Sequence, residues 1–150
     1  MRKMSYKPFF VMLVLSFFTM YAVMFLNVDE VGHIYLSLTR FYMSLLMVCP
    51  MAIIMLIMKH KMYSNKKLNG VIVTVASLVF ILSLVSLRTQ AFVEDRNYMK
   101  AMIPHHSSAI LTSKHAHISD PELKQLSEEI ISSQEKEIAQ MKAILERLGK

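Results

Sequence analysis

The chain has 150 residues, of which 54% are hydrophobic and 19% charged, and its mean hydropathy is +0.39, too apolar for an ordinary soluble domain. The net charge of +6 does not indicate nucleic-acid binding, because residues 88–150 carry as many acidic as basic side chains and the excess lies in residues 1–87. The single cysteine, Cys49, excludes an intrachain disulfide, a CxxC redox motif and an all-thiolate metal site.

Three long runs of the first half contain no charged side chain: residues 8–26, 41–58 and 71–87. Their lengths are close to the roughly 20 residues that a helix needs to cross a bilayer. We therefore predict a membrane domain over residues 1–88, with spans at about 8–26, 37–58 and 70–87. The first run is longer than the apolar core of a signal peptide and is followed by no small-x-small cleavage site, which favours an uncleaved anchor.

Charge predicts the orientation of these spans. Basic residues lie before the first span and between the second and third, whereas the loop between the first and second carries Asp29 and Glu30. The positive-inside rule then places the N-terminus and the second loop in the cytoplasm and residues 89–150 outside it. Lipid is therefore an expected partner, and nucleic acid is not.

The second span carries a ladder of methionines at near four-residue intervals, beside Cys49 and Pro50: Met43, Met47, Met51, Met55, Met58 and Met62. Such a ladder could pass copper(I) across a membrane. Adaptable apolar packing is the favoured interpretation, because methionine is an ordinary apolar residue in lipid.

The second half predicts two helices. The first covers about residues 94–118 and contains Pro104, which should kink it; residues 89–93 form a short bridge or continue the third span. Either Asp120 before Pro121 or a Ser119–Glu122 capping box should start the second helix. That helix, about residues 121–148, carries an apolar stripe at three- and four-residue steps. A hairpin of about 60 residues buries too little surface to be stable alone, so we expect a homo-oligomer that completes a four-helix bundle.

The most informative stretch is residues 99–106, which contains Met99, Met102, His105 and His106. Thioether sulfur and imidazole nitrogen favour copper(I) or another soft or borderline ion over magnesium or calcium. On a helix Asp95, Met99, Met102 and His106 share one face. His105 points about 100° away from His106, as an outer ligand or part of a second site.

The facing helix offers further groups. Met141 is the candidate third sulfur, while Gln134 and Glu137 are expected to hydrogen-bond an imidazole and set its tautomer. His115 and His117 lie about three turns from His106; they are surface residues or weak auxiliary metal ligands. The competing interpretation is that each methionine only packs and each histidine is an ordinary satisfied residue.

Three stretches resemble one protein family, in order and at family spacing: Asp95-Arg-Asn-Tyr-Met-Lys-Ala-Met-Ile-Pro-His-His-Ser-Ser-Ala-Ile110, Ile118-Ser-Asp-Pro121 and Glu129-Ile-Ile-x-x-Gln-x-x-Glu-Ile-x-x-Met141. This pattern is similar to the bacterial family called domain of unknown function 305. The resemblance implies a ferritin-like helical fold outside the cytoplasm, an association with copper and other heavy metals, and metal-associated positions at Met99, Met102, His105, His106 and Met141. Many members have methionine where this chain has Ser108, which removes one possible sulfur ligand.

The predicted protein is all-α: three transmembrane helices followed by an extracytoplasmic αα-hairpin, a ferritin-like half-bundle. Its expected function is non-enzymatic binding of copper(I) or silver for sequestration, transfer or resistance, at the inner membrane of a bacterium with the hairpin in the periplasm. The alternative is a metal-free scaffold or oligomerisation protein that partners a transporter. A di-iron oxidase is disfavoured because the positions three before His105 and His106 are Met102 and Ile103 rather than Glu.

Overall fold

A computed structural model describes residues 5–149 and contains, within that range, five α-helices and no strand. The helices are α1 (Lys7–Val23), α2 (Leu38–Met58), α3 (Lys66–Thr89), α4 (Asp95–His115) and α5 (Pro121–Leu148). A single 3-10 turn, Val31–His33, lies between α1 and α2. The predicted all-helical class is confirmed.

The described chain forms two compact units. One contains residues 5–23 and 39–91, hereafter the apolar unit; the other contains residues 24–38 and 92–149, hereafter the hairpin unit. The sequence placed the domain boundary at residues 88/89. The hairpin unit additionally contains the loop between α1 and α2, which sequence reasoning had assigned to the membrane domain.

Two helices of the apolar unit are long and apolar enough to cross a membrane: α2 has 21 residues and α3 has 24, with hydropathies of 2.3 and 2.6. Helix α1 is apolar but has only 17 residues, because it ends at Val23 rather than at the expected residue 26. At the start of α3 the Asn65 side chain caps the helix by accepting a hydrogen bond from the Leu68 backbone N–H. The helix ends before Gln90, whose backbone is in the left-handed conformation with φ of 51°. Helix α3 thus continues through Thr89, and residues 90–92 form a turn.

None of the six ladder methionines is buried in this unit. Met43, Met47 and Met58 are exposed, whereas Met51, Met55 and Met62 are half-buried. The core of the unit instead consists of Phe9, Ala52, Leu56, Tyr63 and Ile72. Of the ladder, Met55 packs against this core from a half-buried position.

The hairpin unit is built on α4 and α5, joined by residues 116–120. Asp120 accepts a hydrogen bond from the Leu123 backbone N–H at 2.8 Å, and Pro121 occupies the first turn of the helix. The aspartate cap was one of the two starts that the sequence allowed. Helix α4 runs through Pro104, which is buried, and the core consists of Ile103, Ile110 and Ile138.

Candidate functional site

His106 is the centre of the predicted site, and both of its ring nitrogens are hydrogen-bonded. Its Nδ1 lies 2.9 Å from the Met102 carbonyl oxygen and its Nε2 lies 2.7 Å from Glu137 Oε2. A carbonyl and a carboxylate only accept hydrogen bonds, so the ring satisfies both partners fully when each nitrogen carries a proton. The buried imidazole is thereby fixed in orientation between α4 and α5.

Glu137 is held ionised by its neighbours. The Ser133 hydroxyl donates to Glu137 Oε1 at 2.8 Å, and His106 contacts the other oxygen. Both hydrogen bonds lower the pKa of the Glu137 carboxyl from its usual value, and the one from Ser133 has the larger effect. The His106–Glu137 contact is therefore a charge-assisted link whose carboxylate end is about half exposed.

The same contact sets the register of the hairpin. The two helices are antiparallel and His106 contacts Glu137. One turn toward the N-terminus of α4 therefore corresponds to one turn toward the C-terminus of α5. By this helix geometry Met102 and Met141 are each one turn from the contact, on α4 and α5 respectively. Met141 packs on the Ile103–Ile110–Ile138 core and Met99 is 5% exposed, so the predicted sulfur donors lie at the hairpin interior or its edge.

The remaining predicted residues are spread along the hairpin. His105 is exposed, with its ring centroid 6.0 Å from that of His106. Asp95 begins α4, His115 ends it, and His117 lies in the following loop; all three are exposed. Gln134 is half-buried on α5, one turn before Glu137. Residues 5–149 contain no group of three or more His, Cys, Asp or Glu side chains that could hold a metal ion.

Sequence reasoning missed a second cluster, in which the loop between α1 and α2 is fastened to α4. His33 Nδ1 lies 2.9 Å from Ser107 Oγ, and the Asp29 backbone N–H donates to the same oxygen at 2.7 Å. Ser107 is fully buried and His33 is 6% exposed. Asn27 Nδ2 also donates to Ser108 Oγ at 2.7 Å. We call these contacts the loop clasp.

The clasp has a consistent hydrogen-bond pattern. Ser107 Oγ already accepts the Asp29 N–H, so its own proton can be donated to His33 Nδ1, while His33 Nε2 faces Glu30 Oε2 at 3.5 Å. This pattern fits a neutral imidazole that carries its proton on Nε2. The only sequence signal for the clasp was topological: loop and hairpin were expected on the same side of the membrane.

Charged groups surround His33. It lines a cavity of about 230 Å³ together with Glu30, Glu135 and Lys142. Burial lowers the pKa of His33, and the charge of Lys142 lowers it further, against opposing effects of Glu30 and Asp29. Lys114, which also lowers that pKa, donates to Asp29 Oδ2 at 2.8 Å and lies 3.6 Å from Glu135 Oε1.

Comparison with known proteins identifies the family. Residues 56–148 match the family described as Domain of unknown function (DUF305), a range that includes α3, α4, α5 and both histidines of the site. The chain belongs to the DUF305 family. It is also similar to the Uncharacterized protein L153 of Acanthamoeba polyphaga mimivirus, with 40% identity over 139 residues, which cover 90% of this chain and 89% of that protein. No solved structure matches the chain.

Proposed function

We propose that this DUF305 protein is a membrane-anchored, non-enzymatic metal-binding protein that takes copper(I), or another soft or borderline ion such as silver, in its α4–α5 hairpin. The observation that supports the proposal is the contact between His106 and Glu137, since Met102 and Met141 each lie one helical turn from it along their own helices. Two thioethers and an imidazole form a donor set suited to copper(I). Met99 and the exposed His105 are the additional donors.

His106 would have to release one partner to bind a metal. Its Nδ1 contact is with a backbone carbonyl of its own helix, whereas Nε2 contacts a half-exposed carboxylate. We propose that the ion replaces Glu137 at Nε2 and that the bond to the Met102 carbonyl keeps the ring oriented. Glu137 would then be released from the ring, and the Met102 carbonyl, which accepts the Nδ1 proton, would fix the tautomer of the metal-bound imidazole.

The proposed tether is the apolar unit. Helices α2 and α3 have the length and composition of membrane spans, and the charge-free run of residues 8–26 supports a third. With the basic loops in the cytoplasm, the hairpin lies outside it; in a bacterium this is the periplasmic side of the inner membrane. A metal transporter in the same membrane is the proposed recipient or source of the ion.

The test is copper(I) binding by the full-length chain, purified anaerobically and titrated against a chromogenic chelator. We expect about one ion per chain and loss of binding in the variant M99L/M102L/M141L, in which leucine keeps the packing volume and removes sulfur. The matched control is M43L/M47L/M55L, which removes three sulfurs from the α2 ladder. Undiminished binding in the hairpin variant would contradict the site.

The alternative, a metal-free scaffold, is favoured by two observations: both His106 nitrogens already have hydrogen-bond partners, and Met99 is buried. In that case the histidine and the methionines only hold the hairpin together. Full-length protein that is isolated without metal and does not change its melting temperature on addition of copper(I) would support the scaffold.

Both proposals include self-association of the hairpin. Leu123 and Leu126 on α5 are 50% and 49% exposed, so part of the apolar stripe is unburied in a single chain. Pairing with a second hairpin would cover it and complete a ferritin-like four-helix bundle. Light scattering on the full-length protein in detergent should give a dimer or larger assembly that L123E/L126E dissociates. The control K124E/E128K changes neighbouring exposed positions without altering the apolar stripe.

A further inference from the structure

We infer that one end of the apolar unit is a binding surface for the headgroups of anionic phospholipids. The surface, called here the basic rim, is defined by Lys7, Lys59, Lys61, Lys66 and Lys67, all of which are exposed. They come from the start of α1, the turn after α2 and the start of α3. The inference rests on the proposed membrane insertion and adds a lipid partner to it.

Aromatic contacts bring these three segments together. The ring of Tyr63, in the turn after α2, lies 5.0 Å from that of Tyr6 and 5.5 Å from that of Phe9, measured between centroids. Tyr6 donates its hydroxyl proton to Asn69 Oδ1 at 2.7 Å, and Asn69 Nδ2 donates to the Tyr63 carbonyl at 2.7 Å. The start of α1 is therefore fixed against the turn and against α3.

The turn that carries the central lysines has a defined backbone. The N–H groups of Met62 and Tyr63 donate to the Lys59 carbonyl at 2.8 and 3.1 Å. Asn65 caps α3 through the Leu68 N–H at 3.1 Å, directly before Lys66 and Lys67. The rim thus presents its ammonium groups from an ordered backbone rather than from a free tail, which lowers the entropy lost on binding.

No carboxylate within the unit can neutralise the rim. The sequence contains no Asp or Glu in residues 1–28 or 31–93, so the apolar unit has cations and no acidic side chain. Five ammonium groups in one region attract anions from outside the unit, and this attraction is screened by salt. A polybasic segment beside a membrane span is the kind of sequence that binds anionic lipid headgroups.

The position of the lysines favours lipid over a soluble polyanion. Lys59 follows the last residue of α2, Met58, and Lys66 is the first residue of α3, so the charges stand at the ends of the two helices of span length. Tyr6 and Tyr63 lie at the same end, and tyrosine is enriched where spans meet the headgroup layer. Phosphate groups of the bilayer are therefore the anions that lie at the depth of the rim.

The test uses the full-length chain in detergent, mixed with equal amounts of phosphatidylglycerol and phosphatidylcholine of the same acyl chains, with retained lipid counted by native mass spectrometry. We expect several-fold preference for phosphatidylglycerol in the wild type, and loss of the preference in K59Q/K61Q/K66Q/K67Q. The control R96Q/K124Q/K136Q/R147Q removes the same charge from the hairpin unit and should keep the preference. High salt should weaken it in the wild type.

Two further variants keep the test decisive. K59R/K61R/K66R/K67R retains the charge and should retain the preference for phosphatidylglycerol. If the quadruple glutamine variant fails to fold, K66Q/K67Q replaces it and should show a partial loss of that preference. Equal retention of the two lipids by the wild type, or equal loss in the hairpin control, would overturn the inference. Displacement of phosphatidylglycerol by a short RNA at equal charge concentration would also overturn it, in favour of a soluble polyanion.

Membrane insertion and lipid binding by the basic rim can be tested separately. Resistance of the wild-type chain to alkaline extraction from membranes tests insertion alone. An inserted chain without lipid preference contradicts only the basic rim, whereas a chain that is fully extracted contradicts the tether on which it rests.

Discussion

His106 Nε2 lies 2.7 Å from Glu137 Oε2, and this one contact fixes how α4 is aligned along α5. Both residues belong to the stretches by which the sequence resembles its family, and the bond joins positions 31 residues apart in the chain. Because Met102 and Met141 each lie one helical turn from this contact on their own helices, the hydrogen bond and the proposed sulfur site depend on the same alignment of α4 along α5. A change at Glu137 should therefore affect both stability and metal binding.

The first prediction concerns E137Q and acid stability. Hydrogen bonds from Ser133 and His106 lower the pKa of Glu137, so its carboxylate stabilises the folded state above its ordinary value of 4.5, and this contribution is lost as the pH falls through the lowered pKa. Melting temperatures of the wild type should fall more steeply over that acidic range than those of E137Q. The control E128Q, at an exposed position on the same helix, should follow the wild type.

The second prediction concerns the buried hydroxyl of the loop clasp. In S107A the partly buried Asp29 N–H and the buried His33 Nδ1 lose their shared partner, which should reduce the free energy of unfolding by about 1–3 kcal/mol. Hydrogen exchange should accelerate at the backbone of residues 27–33. S132A, which removes an exposed hydroxyl on α5, should leave both measurements unchanged; unaltered exchange in S107A would contradict the clasp.

The third prediction is a pH dependence near neutrality. The pKa of His33 is lowered in the fold, chiefly by burial, so the unfolded chain takes up a proton first as the pH falls below the ordinary value of 6.5. Stability is then complete above 6.5 and decreases as the pH falls from there toward the lowered pKa. H33Q can still bond to Ser107 but does not titrate, so thermal melts of this variant should lose this slope. H117Q, in the exposed loop after α4, should retain it.

The fourth prediction concerns the hairpin core. Ile103 is fully buried between α4 and α5, so I103A should cost about 2–5 kcal/mol through lost burial and the cavity left behind. L123A removes an aliphatic side chain of the same size from a half-exposed position on α5 and should cost much less. Thermal unfolding of the two variants, followed by circular dichroism below the concentration at which the protein associates, gives the comparison. Equal losses would show that α5 packs on a different face.

The sequence predicted some elements closely because their limits depend on local chemistry. Helix α5 begins where Asp120 can cap and Pro121 can enter a first turn, and its apolar stripe reports a buried face. The end of α1 was misplaced, since the apolar run continues through Phe25 and Leu26 without a stop signal while the helix ends at Val23. Hydropathy measures solubility in lipid, whereas a helix end depends on backbone hydrogen bonds.

The sequence by itself determined the helical class, the hairpin with its Met and His positions, and the apolar unit without acidic residues, because each follows from periodicity, capping or charge along the chain. Only the tertiary structure decided that the imidazole expected to meet Glu137 is His106, whose other nitrogen meets the Met102 carbonyl, and that His33 and Asp29 of a distant loop contact Ser107. The contacts of His106 with Glu137 and of the loop with Ser107 join residues 31 to 78 positions apart. Local propensity carries no information about which polar groups are buried together; that depends on how the helices and the loop pack to satisfy one another.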